Sequence, residues 1–315
     1  MMDKNATLYN FTQQMQGQIF FAAFKTNLSA DVQAEWQNRP PLMNLKRGYA
    51  ESPAWVLVQA LEFAPDPLTV ERFRKRAVYS SPSLTQALLE IMASEQLFDR
   101  IGDTYHLTDK GQAEADKITS QRLVAFEGFE PIPHEQIAEL EKYLSQIIEA
   151  SLQADISTWC LEHSHNRAPA SDAPLLAKII QYGSDLNAFR DDAHMTAFGE
   201  YDVLGHVWEA FSYIKSEQAN KASELYEKLS YRGFYTEDWQ SALDDLVTRG
   251  WITEDDTYYR VTEEGIKIAE DVEQKTNHYF YAPWDVLSDD DYQKLIDLMQ
   301  AISQAYRDLI AQPTA

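Results

Sequence analysis

SPSLTQALLEIMASEQLFDRIGDTYHLTDKG, residues 81–111, is the stretch whose reading decides the fold. Ser81 can cap free backbone amides, and Pro82 follows at the first helical position, where a missing N–H costs nothing. Leu84, Ala87, Leu88, Ile91 and Met92 then fall at i, i+3, i+4, i+7 and i+8, one apolar stripe on a helix. Leu97 opens an extended stretch, Gly102-Asp103 interrupts it, and Tyr105-His106-Leu107 resumes it. Leu107-Thr108-Asp109-Lys110-Gly111 turns the chain into a new, Thr-capped helix. A helix, a two-stranded ribbon and a fresh helix are the layout of a wing.

The pattern returns at residues 236–265, TEDWQSALDDLVTRGWITEDDTYYRVTEEG. Thr236 stands where a cap is needed, and Trp239, Ala242, Leu243, Leu246 and Val247 repeat the apolar spacing. Ile252 opens the extended stretch, Glu254-Asp255-Asp256 turns it, and Tyr258-Tyr259-Arg260-Val261 leads into Val261-Thr262-Glu263-Glu264-Gly265. Each copy has two helical segments upstream: Trp55, Val58 and Leu61, then Val70, Phe73 and Ala77; Trp208, Phe211 and Ile214, then Leu225 and Leu229. Each also ends alike, Ile137, Leu140, Leu144 and Ile147 matching Tyr292, Leu295, Met299 and Ile302. A duplication of about half the 315 residues fills the chain. The expected fold is mainly α with small β wings: two winged-helix units in tandem, residues 1–155 and 156–315, forming a pseudo-twofold dimer with a helical layer. An N-terminal helix (Leu8, Phe11, Met15, Ile19) and the two terminal helices would supply that layer. The linker is expected at about 163–174, where Pro169, Ser171, Asp172 and Pro174 break helical periodicity.

With these residues in view, the chain resembles the MarR-like winged-helix regulators of bacteria over roughly 53–125 and 203–280. The Leu-Thr-x-x-Gly wing exit carries most of the likeness. More narrowly it resembles a bacterial group with two winged helices fused in one chain, through Asp191-Asp192-Ala193-His194 and Ala282-Pro283-Trp284. The resemblance implies a pseudo-twofold molecule whose copies pair as two subunits would. It also implies a ligand site between the winged helix and the dimer helices.

Charge pulls against the function that the fold suggests. The formal net charge is −23. Through Asp155 there are 14 Lys+Arg against 21 Asp+Glu, and thereafter 13 against 29. DNA binding draws its sequence-independent affinity from cations at phosphates, so such a chain is repelled unless its cations cluster. One cluster exists: Arg72, Arg74, Lys75 and Arg76, on the helix before the first recognition-like helix, with Val70, Phe73 and Ala77 expected inward. Ser83, Thr85 and Gln86 stand near the start of the recognition-like helix, where side chains reach base edges. The second copy offers Glu237, Asp238, Asp244 and Asp245 against Arg249, then Glu254, Asp255 and Asp256 against Arg260. Duplex DNA is therefore expected through the first copy, and a protein partner is the expectation for the acidic second copy.

The remaining chemistry points to a small aromatic or apolar ligand. His278, Tyr279 and Trp284 belong to the densest aromatic run, and Asp192, His194 and His206 offer polar tips. Cys160, His163 and His165 have zinc-type donors but no second pair nearby. There is no phosphate-binding glycine loop, no Ser/His/Asp triad pattern and no paired-cysteine motif. An enzyme is the least supported class, and neither metal nor cofactor is expected. A lone Cys160 excludes an intrachain disulfide framework. The apolar patch Ile19–Phe24 is too short to span a membrane, no secretory signal is visible, and the cytoplasm is the expected location. The sequence thus reads as a MarR-like tandem winged-helix DNA-binding transcriptional regulator, responsive to a small organic ligand. The competing reading is an acidic winged-helix protein-interaction or small-molecule-sensing module that has lost DNA.

Overall fold

The computed structural model describes residues 53–311, Thr257 excepted. The N-terminal helix expected from Leu8, Phe11, Met15 and Ile19 lies outside them, as does the patch at 19–24. The described chain is mainly helical, with two small antiparallel sheets. It divides into two compact units that do not follow the sequence halves 1–155 and 156–315. A winged unit takes the described part of Pro41–Glu114 together with His194–Thr276. A helical unit takes Ala115–Ala193 and the described part of Asn277–Ala315.

The winged unit holds a motif of three helices and a two-stranded ribbon twice. The first copy is α1 (Pro53–Phe63), α2 (Val70–Arg76), α3 (Pro82–Ser94), β1 (Phe98–Ile101) and β2 (Thr104–Leu107). After it come α4 (Asp109–Phe126), α5 (His134–Ser151), α6 (Trp159–His165) and α7 (Leu175–Gly199). The second copy is α8 (Gly205–Lys215), α9 (Ala222–Leu229), α10 (Thr236–Thr248), β3 (Ile252–Asp255) and β4 (Tyr258–Val261), followed by α11 (Glu263–Tyr281) and α12 (Asp289–Ala311). Phe98 faces Leu107 in one ribbon, and Ile252 faces Val261 in the other. Tyr105 also exchanges backbone hydrogen bonds with Leu68 at 2.8 and 2.9 Å, and Tyr259 donates its amide to Asn220 O at 2.8 Å.

The wing-exit motif has a physical cause. Thr108 Oγ1 accepts from Gly111 N at 3.0 Å and donates to Gln96 O at 2.7 Å. Thr262 does the same with Gly265 N and Gly250 O, at 3.0 and 2.7 Å. The glycine is needed because the strand passes against the helix: a Cβ on Gly111 would lie 2.1 Å from Leu97 O, and one on Gly265 2.1 Å from Trp251 O. Threonine caps the helix and glycine admits the neighbouring carbonyl.

The inward face of α3 is not the stripe that its spacing suggests. Thr85, Leu89 and Met92 are buried, while Ala87 and Ile91 are exposed. In α10, Trp239, Ala242, Leu243 and Leu246 are buried and Val247 is exposed, in line with its pattern but for the last position. Thr85 matches Trp239, Leu89 matches Leu243 and Met92 matches Leu246, so the copies align 154 residues apart here. Apolar residues surround α3 on most sides, and its periodicity alone cannot select the face that packs. The caps follow the same register: Ser81 Oγ accepts from Leu84 N at 3.1 Å, and the matching cap is Tyr235 rather than Thr236, with Asp238 accepting from Tyr235 N at 2.8 Å.

The helical unit buries one apolar core. Ile137, Leu140, Leu144 and Ile147 of α5 and Leu295, Met299 and Ile302 of α12 are buried there with Phe126, Phe189, Phe280 and Trp284; Tyr292 is partly buried. Asp291 at the start of α12 has its acidity strengthened by hydrogen bonds from Ser288 and then Tyr143. Short α6 is tied to α7 by two buried carboxylates. Asp192 accepts from Cys160 N and Leu161 N, both at 2.9 Å. Asp185 accepts from Ser164, Gln181 and His165 at 2.7, 2.7 and 2.8 Å. Since α6 runs to His165, only the later part of the expected linker, 166–174, is non-helical. Among the described residues, no helix is long and apolar enough to cross a membrane.

Candidate recognition surface

In a winged helix the exposed face of the recognition helix and the wing beside it meet the partner. In both copies a hydrogen-bonded lock fixes this pair. Gln86 of α3 donates to Tyr105 OH of β2 at 2.7 Å and to Glu90 at 2.6 Å. Gln240 of α10 donates to Tyr259 OH of β4 at 2.8 Å and to Asp244 at 2.9 Å. Gln, Tyr and acid all recur 154 residues apart. Tyr105 also donates to Glu90 at 3.0 Å, and burial, then that carboxylate, raises its pKa.

The lock changes which residues of the first copy are available. Gln86 is committed to the wing. Thr85 is 1% exposed and donates its hydroxyl to Ser81 O at 3.3 Å, so it does not face outward as the sequence reading requires. Ser83 is exposed, within hydrogen-bond reach of Ser81 Oγ at 3.0 Å. The cations of α2 are also less open than their spacing suggests. Arg72 pairs with Asp66 at 3.1 Å and lies over the Phe63 ring. Arg76, its side chain 11% exposed, lies 3.6 Å from the fully buried Glu62. Arg74 is half-buried, and its Nε is buried without a hydrogen-bond partner among the described residues. Lys75 is exposed. The wing adds Arg100, which pairs with Glu90. Phe73 and Ala77 are buried as expected, whereas Val70 is only partly so.

The N-terminus of α3 is covered by the second copy. Ser81 N donates to Arg232 O at 2.8 Å, and Ser81 is 3% exposed. Gly233 sits directly against it: a Cβ there would fall 2.5 Å from Leu84 Cβ and 2.7 Å from Ser81 Oγ. A Cβ on Gly205 would lie 2.5 Å from Val78 O. Arg232 stacks on Tyr79 and pairs with Glu209 at 2.8 Å. Burial raises the Glu209 pKa while Arg232 opposes it. The matching end of α10 is open, with Tyr235 67% exposed. There Glu237, Asp238 and Asp244 are exposed, as are Glu254, Asp255 and Asp256 on the wing. Arg249 is drawn back to Asp245 at 2.9 Å and to the carbonyls of Tyr201 and Asp202 at 2.8 and 2.9 Å. Sequence reasoning missed Arg232, Gly233 and the Gln–Tyr locks. The repeated Gln and Tyr would have shown in an alignment at 154 residues.

The ligand candidates do not form one group. In the helical unit Trp284 and Phe280 are buried in the core, as packing alone would have it. His278 is exposed beside Tyr279, and Asp192 is spent on capping α6. In the winged unit, Trp208 Nε1 donates to His194 Nε2 at 2.9 Å. That leaves Nδ1 protonated, 3.1 Å from Thr276 Oγ1, whose own hydroxyl donates to Val272 O at 2.7 Å. His206 stacks on Phe234 at 4.4 Å between ring centres, and burial lowers its pKa. Among the zinc-type donors, Cys160 is buried, His163 Nδ1 meets Trp159 O, and His165 meets Asp185. No group of three or more metal-type donors forms among the described residues.

Residues 106–313 match a helix-turn-helix family, and the chain belongs to it. The matched span takes in α8–α10 with β3 and β4 and none of α1–α3. Membership suggests a DNA-binding regulator kind of function. No curated protein and no solved structure matches the chain.

Proposed function

We propose that the protein is a MarR-like transcriptional regulator with two winged helices fused in one chain, paired about a pseudo-twofold axis, and that its DNA-facing surface is confined to the first copy. The observation that supports this most is the asymmetry of the recognition surfaces. The exposed charged groups of α10 and its wing are mainly carboxylates, which phosphates repel; the first copy also exposes Glu95, Asp99 and Asp103, but it keeps Lys75, Ser83 and the Arg72 guanidinium near its surface. With Thr85 and Gln86 turned to internal partners, contacts would fall on phosphates more than on base edges. Binding should then be sensitive to salt and tolerant of sequence. Titration of labelled random duplex against salt tests this: weak binding with a negative salt slope supports it, and salt-independent or strongly sequence-selective binding opposes it.

The acidic module without DNA is the second reading, favoured by one specific observation. The end of α3 that enters the groove in helix-turn-helix proteins is closed by Arg232 and Gly233. In that reading the acidic face of α10 meets a basic protein partner. Absence of duplex binding at about 50 mM salt, where attraction between cations and phosphates is only weakly screened, would select it. For the small organic ligand, neither His194 nor Trp284 is an open group, since Trp208 and the helical core take them up.

A further inference from the structure

The helical unit contains a pocket that none of Asp192, His194, His206, His278, Tyr279 and Trp284 lines. Its volume is about 430 Å³, within the range of roughly 300–1,000 Å³ typical of small-molecule sites. It is lined by the end of α4, the start of α5 and the start of α7. Phe126, Phe129 and Leu175 give it apolar walls. Glu127, Glu130 and Asp172 line it as well and are exposed to water. The one basic-type group among its lining residues is His134, whose Nδ1 is 2.6 Å from Glu130 Oε1. Behind the wall, Tyr306 packs on Phe129 with ring centres 6.1 Å apart. Its hydroxyl is buried without a hydrogen-bond partner among the described residues.

We propose that this pocket binds a small organic cation, an arylalkyl amine whose apolar body lies against Phe126 and Phe129 and whose ammonium meets the carboxylates of Glu127, Glu130 and Asp172. Apolar walls recognise the body through buried area and face-on contact with a cation, and three carboxylates against one imidazole select positive charge over negative. The net charge of −23 draws cations toward the molecule and repels anions. The inference goes beyond the regulator reading and does not depend on DNA.

Matched fluorescent probes test it on the full chain: 2-(1-naphthyl)ethylamine and 3-(1-naphthyl)propanoic acid, which share a ring system and differ in charge. The amine should bind saturably, and the acid about tenfold more weakly or worse. The double variant Glu127→Gln, Asp172→Asn should weaken the amine by a similar factor and leave the acid unchanged or improved. Because Phe129→Ala disturbs the Tyr306 contact, Val124→Trp provides an independent block. Val124 lines the pocket and is 53% exposed, so a larger side chain there fills the mouth without entering the core. Loss of amine binding in Val124→Trp, with an unchanged circular dichroism spectrum, supports the site. Equal binding of amine and acid, no saturable binding of either, or full binding by Val124→Trp overturns the proposal.

Discussion

Replacing Gly233 by alanine tests the packing of the second copy's Gly233 against the start of α3, with an internal control. Gly233 has φ +75°, where a side chain carries a steric penalty of about 1–2 kcal/mol. The new Cβ would also sit 2.5 Å from Leu84 Cβ and 2.7 Å from Ser81 Oγ. Carbon atoms gain most near 3.5–4.0 Å, so α3 has to move, and overpacking of this sort costs about 1–3 kcal/mol. The two terms together give about 2–5 kcal/mol. Gly250 supplies the control: its φ is +74°, but a Cβ there meets nothing within 4 Å. Gly250→Ala should cost only the backbone term, about 1–2 kcal/mol. Urea titrations of both variants give the difference directly, and an unchanged slope shows that the midpoint shift is stability. Gly233→Ala should be the less stable by about 1–3 kcal/mol. Equal destabilisation of the two variants would refute the packing of Gly233 against the start of α3.

The recognition-helix locks and two partly buried histidines, His165 and His206, give further expectations. Tyr105→Phe removes a hydroxyl that bonds Gln86 and Glu90 and should cost about 1–3 kcal/mol, while Tyr259→Phe, which loses the bond from Gln240, should cost about 1; thermal unfolding checks the order. His206 has a folded pKa below its unfolded value, so its neutral form supports the fold above the unfolded pKa, and that support is lost as pH falls through the folded pKa. His206→Phe should therefore flatten the acid-side decline in stability below about pH 6.5. His165 runs the other way: the Asp185 hydrogen bond raises its pKa, so its contribution is complete below the unfolded pKa and fades as pH rises through the folded one. Stability of His165→Gln followed upward from pH 6.5 should lack that fade.

Much of the fold was legible because two kinds of sequence signal are local. The Thr-x-x-Gly exit works through one hydroxyl and one missing Cβ, so it marks both wings in the residues themselves. Terminal-helix stripes such as Ile137, Leu140 and Leu144 face one core and repeat at helical spacing. The face of α3 was not legible, since Leu84, Leu88 and Ile91 fall at the same i, i+4, i+7 spacing as the buried Thr85, Leu89 and Met92, and packing against distant chain decides between them. The same distance effect hid the recognition surface. Nothing near Thr85 or Gln86 in sequence says that one is buried and the other bonded to Tyr105, 19 residues on. The cations of α2 look like an open patch until Asp66 and Glu62 are placed beside Arg72 and Arg76. His194 and Trp284 have ligand-type chemistry, but Trp208 and the helical core take them up.

Fluorescence anisotropy with random-sequence duplex at about 50 mM salt tests the central claim most directly, that the first copy is the DNA-facing one. The account predicts weak binding that falls as salt rises. Lys75→Ala should reduce it by a similar factor for every sequence and flatten the salt slope by about one. Neutralising α10 with Glu237→Gln and Asp244→Asn should leave binding unchanged or raise it. No binding by the wild-type protein, or binding that Lys75→Ala leaves intact while the α10 changes abolish it, would contradict the claim.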